Sequence, residues 1–464
     1  MSVQVDPGSF RDPSGHVYHL GNKVYRTINP AAAEHYEAAR DSGCLAALAG
    51  AGLLIPAQEV DKAILGAHGA AAAYVVEHPK LAFVSYPYEW SFRLLKAAAL
   101  LHLDLHLAAL DRGMMLSDAS AYNVQFLGAR PLFVDLLSLR RYREGEFWDG
   151  HSQFCHQFLN PLLLRALLGV SHNAWYRGAL EGITTTELAR VLPLRRKLSW
   201  NVFSQVVLQA KMQTLARGKS RSELAGTKQK KLPPAAFRNI LAQLRGWIAG
   251  LEPLDREKSV WNDYAEANTY KSEEAQAKRR FVADFAAATK PGLLFDLGCN
   301  TGAYSEAALE AGAGRVIGFD FDQGALDQAF ERAQQKGLDF LPLHLDAANP
   351  SPDQGWRQQE RAGFGRRARA DAIVALAFEH HLAIGRNLPL DQVLDWLIGL
   401  APMGVIEFVQ KTDSTVQQML ALREDVFADY SEAAFVAAIE KRARVVRSET
   451  ISGEGRRLFW YDRT

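Results

Sequence analysis

The stretch LLFDLGCNTGAYSEAALEAGAGRVIGFDFD, Leu293–Asp322, decides the fold of the C-terminal half of this 464-residue chain. Two apolar runs each end in an aspartate, Asp296 and Asp320, and a small-residue loop followed by helix formers separates them. Short continuous apolar runs of this kind suit strands buried on both faces, with a helix crossing between them. In an open parallel sheet, ligands bind beyond the carboxyl ends of the strands, where both aspartates fall. Gly298 and Gly302 permit a tight turn and close backbone approach, because neither has a Cβ. Thr301–Ala311 then opens a helix whose first N–H groups face the ligand. A carboxylate at Asp320 can accept both hydroxyl hydrogens of a ribose. The loop lacks the GxGxxG of a dinucleotide site, so a nucleoside with a small charged tail is expected rather than a pyrophosphate.

The same alternation continues along the chain. LDFLPLHLD, ADAIVALAF and MGVIEFVQ are further apolar runs separated by helix-length segments, and RRLFWYD closes the chain as a late strand. The pattern predicts an α/β domain from residue 251 to 464, with a mainly parallel sheet and helices on both faces. FEHHL places Glu379, His380 and His381 just after the fourth strand. A histidine near neutral pKa suits removal of a proton from an acceptor, and His380 is preferred, with His381 next. EHH lacks the i, i+4 spacing of a helical zinc site, and no metal is expected there. Glu407 lies inside an apolar strand and needs a partner, either a substrate or a basic neighbour. Lys411 and Asp413 follow at the ligand-binding edge.

Composition sets wide bounds. Lys and Arg total 53 against 52 acids, so no global field recruits nucleic acid or an anionic membrane. Cys44, Cys155 and Cys299 form no CxxC pair, which fits a reducing cytoplasm and argues against a disulfide framework. The polar start MSVQVDPGSFRDPSG has no apolar segment of a signal peptide. Ala97–Leu110 is too short for a membrane span and carries Asp104 and two histidines, so it reads as a core helix. No repeat is evident.

The first 250 residues read as an α+β domain with a helical C-terminal lobe. HVYHLGNKVYRTI alternates about a Gly-Asn turn and predicts a hairpin from His16 to Ile28. A helical stretch over Ala31–Leu48, strand-like runs at YVVEH and KLAFVSY, and a long helix over Trp90–Arg112 follow. MMLSDASAYNVQFLGARPLFVDLLSL reads as loop, strand, Gly turn and strand. From Glu146 to Ile248 the pattern is mostly helical. The basic, Pro-containing stretch Ala216–Phe237 reads as a connection with a solvated face. Asp118 precedes Asn123 by five residues, and Asp135 ends an apolar strand. In phosphoryl transfer one such Asp positions the acceptor hydroxyl, while an Asn and a second Asp hold Mg²⁺.

Two resemblances follow from these motifs. Asp-Leu-Gly-Cys-Asn-Thr-Gly resembles the first motif of class I S-adenosylmethionine-dependent methyltransferases, a Rossmann-like family, with Asn300 in place of the middle glycine. Asn tolerates left-handed backbone angles better than most residues. The resemblance extends over Val260–Gln410 and implies S-adenosylmethionine as cofactor. It places Asp296, Gly298, Cys299, Asn300 and Gly302 around the methionine part and Asp320 on the ribose diol. Phe321 and Asp322 would lie beside the adenine, as would Asp346 and Ala347 in LHLDAAN. Trp261, Tyr264 and Tyr270 in SVWNDYAEANTY would lie on a helix that closes over the donor. ADAIVALAFEHHL resembles the acceptor-facing fourth-strand motif.

The SDASAYN and FVDLL segments resemble the catalytic and metal loops of the protein-kinase-like and aminoglycoside-phosphotransferase-like fold. That likeness implies Mg-ATP, with Mg²⁺ at Asn123 and Asp135. The departures are Leu116-Ser117 for His-Arg, Leu136-Leu137 for Phe-Gly, no Gly-rich phosphate loop, and Arg26 where a lysine is usual, with Glu34 or Glu37 to pair with it. An active small-molecule or glycan kinase, a degenerate kinase-like binding or scaffold domain, and an accidental likeness are the alternatives. Kinase–methyltransferase pairs occur among enzymes that modify bacterial surface polysaccharides, and a nodulation-associated group of methyltransferases is similar around ALAFEHHLAIGRNLPL. The expectation is a cytoplasmic enzyme that methylates an O or N acceptor on a sugar, glycan or other small molecule. The rival is a non-catalytic S-adenosylmethionine-binding assembly protein with a pseudokinase domain.

Overall fold

The computed structural model describes residues 2–211, 232–255, 269–421, 423–453 and 455–463. The chain divides into two units: Met1–Phe126, Pro131–Arg256 and Asp353–Arg361 form the first, and Leu127–Arg130, Glu257–Pro352 and Ala362–Thr464 the second.

The first unit carries a five-stranded antiparallel sheet of β1 (Gln4–Val5), β2 (Val17–Leu20), β3 (Lys23–Ile28), β4 (Gln58–Val60) and β5 (Tyr74–Pro79), in the order β1-β2-β3-β5-β4. The β2–β3 hairpin turns at Gly21-Asn22, with Gly21 at φ 61°. Where one helical stretch is predicted over Ala31–Leu48, two helices form, Pro30–Asp41 and Cys44–Gly50. They break at Gly43, whose φ of 72° is left-handed. KLAFVSY is not a strand. The Ser85 backbone is instead satisfied by a buried side chain, donating to Gln125 Oε1 and accepting from Gln125 Nε2, both at 2.9 Å. The Phe92–Leu110 helix is buried along most of its length, starts at the Ser91 cap, and holds His102 and His106 in an aromatic core with Trp148, Phe154 and Phe158. Two short ladders follow, β6 (Met114–Leu116) with β9 (Leu139–Arg141) and β7 (Val124–Leu127) with β8 (Arg130–Phe133). Helices dominate from His151 onward. Of the basic stretch Ala216–Phe237, residues 216–231 lie outside the described residues.

The second unit is a seven-stranded sheet in the order β12-β11-β10-β13-β14-β16-β15. Its strands are β10 (Leu294–Leu297), β11 (Val316–Asp320), β12 (Phe340–His344), β13 (Ala372–Ala375), β14 (Met403–Val409), β15 (Arg444–Thr450) and β16 (Arg456–Asp462). β10 to β14 pair in parallel, and β16 and β15 add in antiparallel sense. This is the mainly parallel Rossmann-like sheet expected from the sequence. β10 and β13 are fully buried, as their unbroken apolar runs require. The strand order reverses between β10 and β13, so the crevice at their carboxyl ends is the ligand position for this topology. β15 is absent from the sequence reading because RVVRSET is an edge strand whose residues are at most half-buried.

Candidate functional site

Gly298, Asn300 and Gly302 all have left-handed backbones, with φ of 78°, 48° and 81°. The departure from glycine at position 300 is thus met by a residue that accepts the angle. Gly302 caps the Ala303–Glu310 helix, and a Cβ there would run into the Phe340 ring. The loop is anchored by Asp320, whose carboxylate accepts the Asn300 and Asp322 N–H groups, both at 2.8 Å. Burial pushes the Asp320 carboxyl up, and the two N–H groups pull it back down. Asp322 caps the Gln323–Lys336 helix through Gly324 N and Ala325 N. Phe321 is 61% exposed at the end of β11, near His344. Asp346 follows β12 and accepts from Ala348 N. Acids at the ends of β11 and β12 and an exposed aromatic between them fit a cationic nucleoside with a diol.

Asp296 takes a different place. It is buried inside β10 and accepts the Ser305 hydroxyl at 2.6 Å, tying the strand to the Ala303–Glu310 helix. Burial pushes its carboxyl up to about 7. Cys299 is likewise buried, with its side chain against Gly318. Ala347 lies in the loop after β12, beside Asp346. Trp261, Tyr264 and the Tyr270 side chain lie outside the described residues.

On the other side of the crevice, Glu379, His380 and His381 begin the short Glu379–Ala383 helix. Glu379 is fully buried. Its Oε1 receives the Tyr430 hydroxyl at 2.7 Å and the Val409 N–H at 3.3 Å, while Oε2 has no partner. Burial pushes this carboxyl up to about 8. His380 is also buried, and burial holds its imidazole well below the usual range. His381 is only half-buried, and burial followed by the Arg456 charge lowers its pKa too. The two imidazole rings lie 4.3 Å apart.

Glu407 resolves to a basic partner. Its Oε1 lies 2.9 Å from Lys278 Nζ and 3.4 Å from an Arg456 nitrogen, and its Oε2 accepts the Ala377 N–H at 2.8 Å. Ala377 has φ 47°, so the carboxylate holds a strained turn between β13 and the FEHHL helix. Burial works most strongly against the Lys278 ammonium, but Glu407 and Glu274 together raise the pKa. Asp413 caps the Ser414–Leu420 helix and pairs with Arg456, and Lys411 pairs with Asp425. Lys278, Arg456, Tyr430 and Ser305 escaped the sequence reading. Each lies far along the chain from its partner or on a helix without a motif.

In the first unit, Arg26, Asp118, Asn123 and Asp135 converge on a cavity of about 750 Å³. Asn123 Nδ2 donates to Asp118 Oδ2 at 2.7 Å and lies 3.4 Å from Asp135 Oδ2. Arg26 does not pair with Glu34 or Glu37. Its guanidinium lies 2.7 Å from Asp135 Oδ1 and 2.6 Å from Asp12 Oδ2, while Glu37 accepts the Tyr74 hydroxyl. Burial and then the Asp135 charge push the Asp118 carboxyl up. Gln153 and Gln157 receive the Ala119 and Ala121 N–H groups and fix the loop. Residues 353–361 complete the wall: Glu360 binds Arg11, and Arg361 lies 4.2 Å over the Tyr122 ring. Among the described residues no group of three or more His, Cys, Asp or Glu side chains could hold a metal ion.

Comparison with known proteins follows this geometry. The chain is 48% identical over 457 residues to the nodulation protein NoeA of Rhizobium meliloti (strain 1021), covering 98% of this chain and 96% of the relative. The chain belongs to the NoeA family of nodulation proteins. Within this NoeA-family chain, residues 294–357 match the methyltransferase domain family. A ribosomal protein L11 methyltransferase of Tolumonas auensis is 43% identical over 58 residues, 12% of this chain and 20% of that protein. The solved N-methyltransferase NodS of Bradyrhizobium japonicum WM9 aligns with 42% of this chain and 98% of its own, at 13% identity and a TM-score of 0.31. This member of the NoeA family is an S-adenosylmethionine-dependent methyltransferase.

Proposed function

We propose that the second unit transfers the methyl group of S-adenosylmethionine to an oxygen or nitrogen of a sugar, glycan or other small polar molecule. The observation that carries this reading is the Asp320 carboxylate, which fastens the left-handed Gly298–Gly302 loop at the crevice between β10 and β13. Asp320 and Asp346 would hold the hydroxyl and amino groups of the nucleoside. The bound donor supplies an electrophilic methyl group, and orientation of the acceptor against it supplies much of the acceleration. Removing the acceptor proton falls to His381. Its ring is neutral at physiological pH and partly open to solvent, whereas His380 and Glu379 are buried in the core. Calorimetry with S-adenosylmethionine tests the donor site. Asp320→Ala should bind at least about tenfold more weakly than wild type, and equal binding would remove Asp320 from the site. Transfer of a labelled methyl group to candidate saccharides tests the acceptor class.

We infer further that the first unit binds a polar ligand and does not phosphorylate it. The Arg26 guanidinium already neutralises Asp135 at 2.7 Å, in the place where a kinase-like fold would hold Mg²⁺. The cavity wall mixes the Arg11, Arg26 and Arg361 guanidiniums, carboxylates, amides and hydroxyls with Leu137, Leu180, Tyr122 and Trp356. The Arg26–Asp135 pair supports a degenerate kinase-like domain. Titration with Mg·ATP is expected to show no heat, and binding that disappears in Asp135→Ala would restore the kinase reading.

A further inference from the structure

The helices Thr185–Val191, Leu194–Lys197 and Trp200–Val202 run on into the π-helical turn Phe203–Leu208. Their inner face buries Leu188, Leu192, Val202, Val206 and Ala210 in the first unit. Their outer face is also apolar. Leu194, Leu198 and Trp200 are 76%, 77% and 76% exposed, and Val191, Phe203 and Leu208 are exposed beside them. Leu194 and Leu198 are four residues apart, and the Trp200 and Phe203 rings stack with centroids 6.4 Å apart. Large apolar side chains presented together to water mark an interaction surface.

The charges interleaved with this face are all of one sign. Arg190, Arg195, Arg196, Lys197 and Lys211 fall between residues 190 and 211, and no Asp or Glu does. Among the described residues none of these five makes an ion pair. An anionic lipid surface accounts for the apolar and the basic residues together. Leucine and tryptophan enter the boundary between headgroups and acyl chains, and Arg and Lys reach the negative headgroups. No described helix is long and apolar enough to cross a membrane, so the contact would be interfacial.

We propose that the Val191–Leu208 face docks the protein peripherally on an anionic lipid bilayer. Leu194, Leu198 and Trp200 insert, and Arg195, Arg196 and Lys197 bind lipid headgroups. The contact is independent of the methyl-transfer reading. The near-zero net charge of the chain conceals it, because the basic cluster is local.

The test is co-sedimentation of the full chain with vesicles of phosphatidylcholine alone and of phosphatidylcholine containing about one third phosphatidylglycerol, at low and high salt. Partition is expected onto the anionic vesicles only, weakening with salt. Leu198→Glu/Trp200→Glu should reduce it at least about tenfold, and Arg195→Glu/Arg196→Glu/Lys197→Glu by about a hundredfold, about fivefold for each charge nearest the surface. Leu198, Trp200 and Arg195 are exposed, and Arg196 and Lys197 are half-buried, so thermal melting curves of both variants beside wild type separate loss of docking from loss of folding. Three results would overturn the proposal: no partition onto anionic vesicles, partition unchanged in both variants, or a concentration-dependent dimer that the same substitutions dissolve while vesicle binding is absent.

Discussion

Asn300 sits in the Gly298–Gly302 loop, proposed above to hold the donor, at φ 48°, an angle that glycine takes freely, asparagine tolerates and a β-branched residue resists. Asn300→Gly should therefore leave S-adenosylmethionine affinity within about threefold of wild type. Asn300→Val should weaken it by about tenfold or more, at a strain cost of roughly 1–2 kcal/mol. Isothermal titration of the two variants is decisive, and equal affinities would mean that the loop angle does not matter. Glu379 supports a second prediction of this size. Its carboxyl is raised from 4.5 to about 8 by burial, so the fold holds a proton that the unfolded chain releases. Its contribution is fully present below pH 4.5 and is lost as pH rises through 8, so stability falls across that window. Glu379→Gln keeps the shape without the titration. Denaturant melts at pH 5 and pH 8.5 should show a decline in wild type larger by roughly 4 kcal/mol than in the variant. Asp296, raised to about 7, adds a decline of the same sign in both proteins.

At the scale of elements, the second unit joins its sheet to its flanking helix through buried charge. Lys278 on the Thr269–Thr289 helix meets Glu407 of β14, and Arg456 at the start of β16 meets both Glu407 and Asp413. Breaking such a pair from one side leaves a buried charge uncompensated. Lys278→Met should cost about 3 kcal/mol, and Lys278→Met/Glu407→Gln less than the sum of the single changes. A double-mutant cycle by urea unfolding measures this, and strict additivity would mean that the pair does not interact. Glu407 itself was visible in the sequence as a carboxylate in an apolar strand, but its partners were not. They lie 129 residues before and 49 residues after it, and nothing local marks them. The parallel strands were legible because burial on both faces leaves an unbroken apolar run. KLAFVSY is also largely apolar, yet the Ser85 backbone within it is satisfied by the Gln125 side chain, a tertiary substitution that no local pattern signals. β15 was missed for the opposite reason, since an edge strand needs no apolar run.

For the whole molecule, legibility divides along the same line. The residues of the proposed donor loop are consecutive, from Asp296 to Asp322, so its turn and its strand-end acids were legible. The cavity of the first unit was only half readable. Asp118, Asn123 and Asp135 stand close in sequence, but Asp12 comes from before the hairpin and Glu360 and Arg361 from between β12 and β13. That Arg26 neutralises Asp135 could not be foreseen, because sequence shows which charges exist and not which ones meet. The donor site makes a final prediction for the full chain. A ligand that binds only the folded state stabilises it by RT ln(1 + [L]/Kd), about 2.7 kcal/mol at one hundred times Kd. S-adenosylmethionine should therefore raise the unfolding transition of wild type and slow amide exchange most at the ends of β10, β11 and β12. Asp320→Ala should show neither effect at the same concentration. Protection that appeared instead around Asp118 and Asp135 would move the donor to the first unit, because the linkage relation protects the residues that hold the ligand wherever the motif lies.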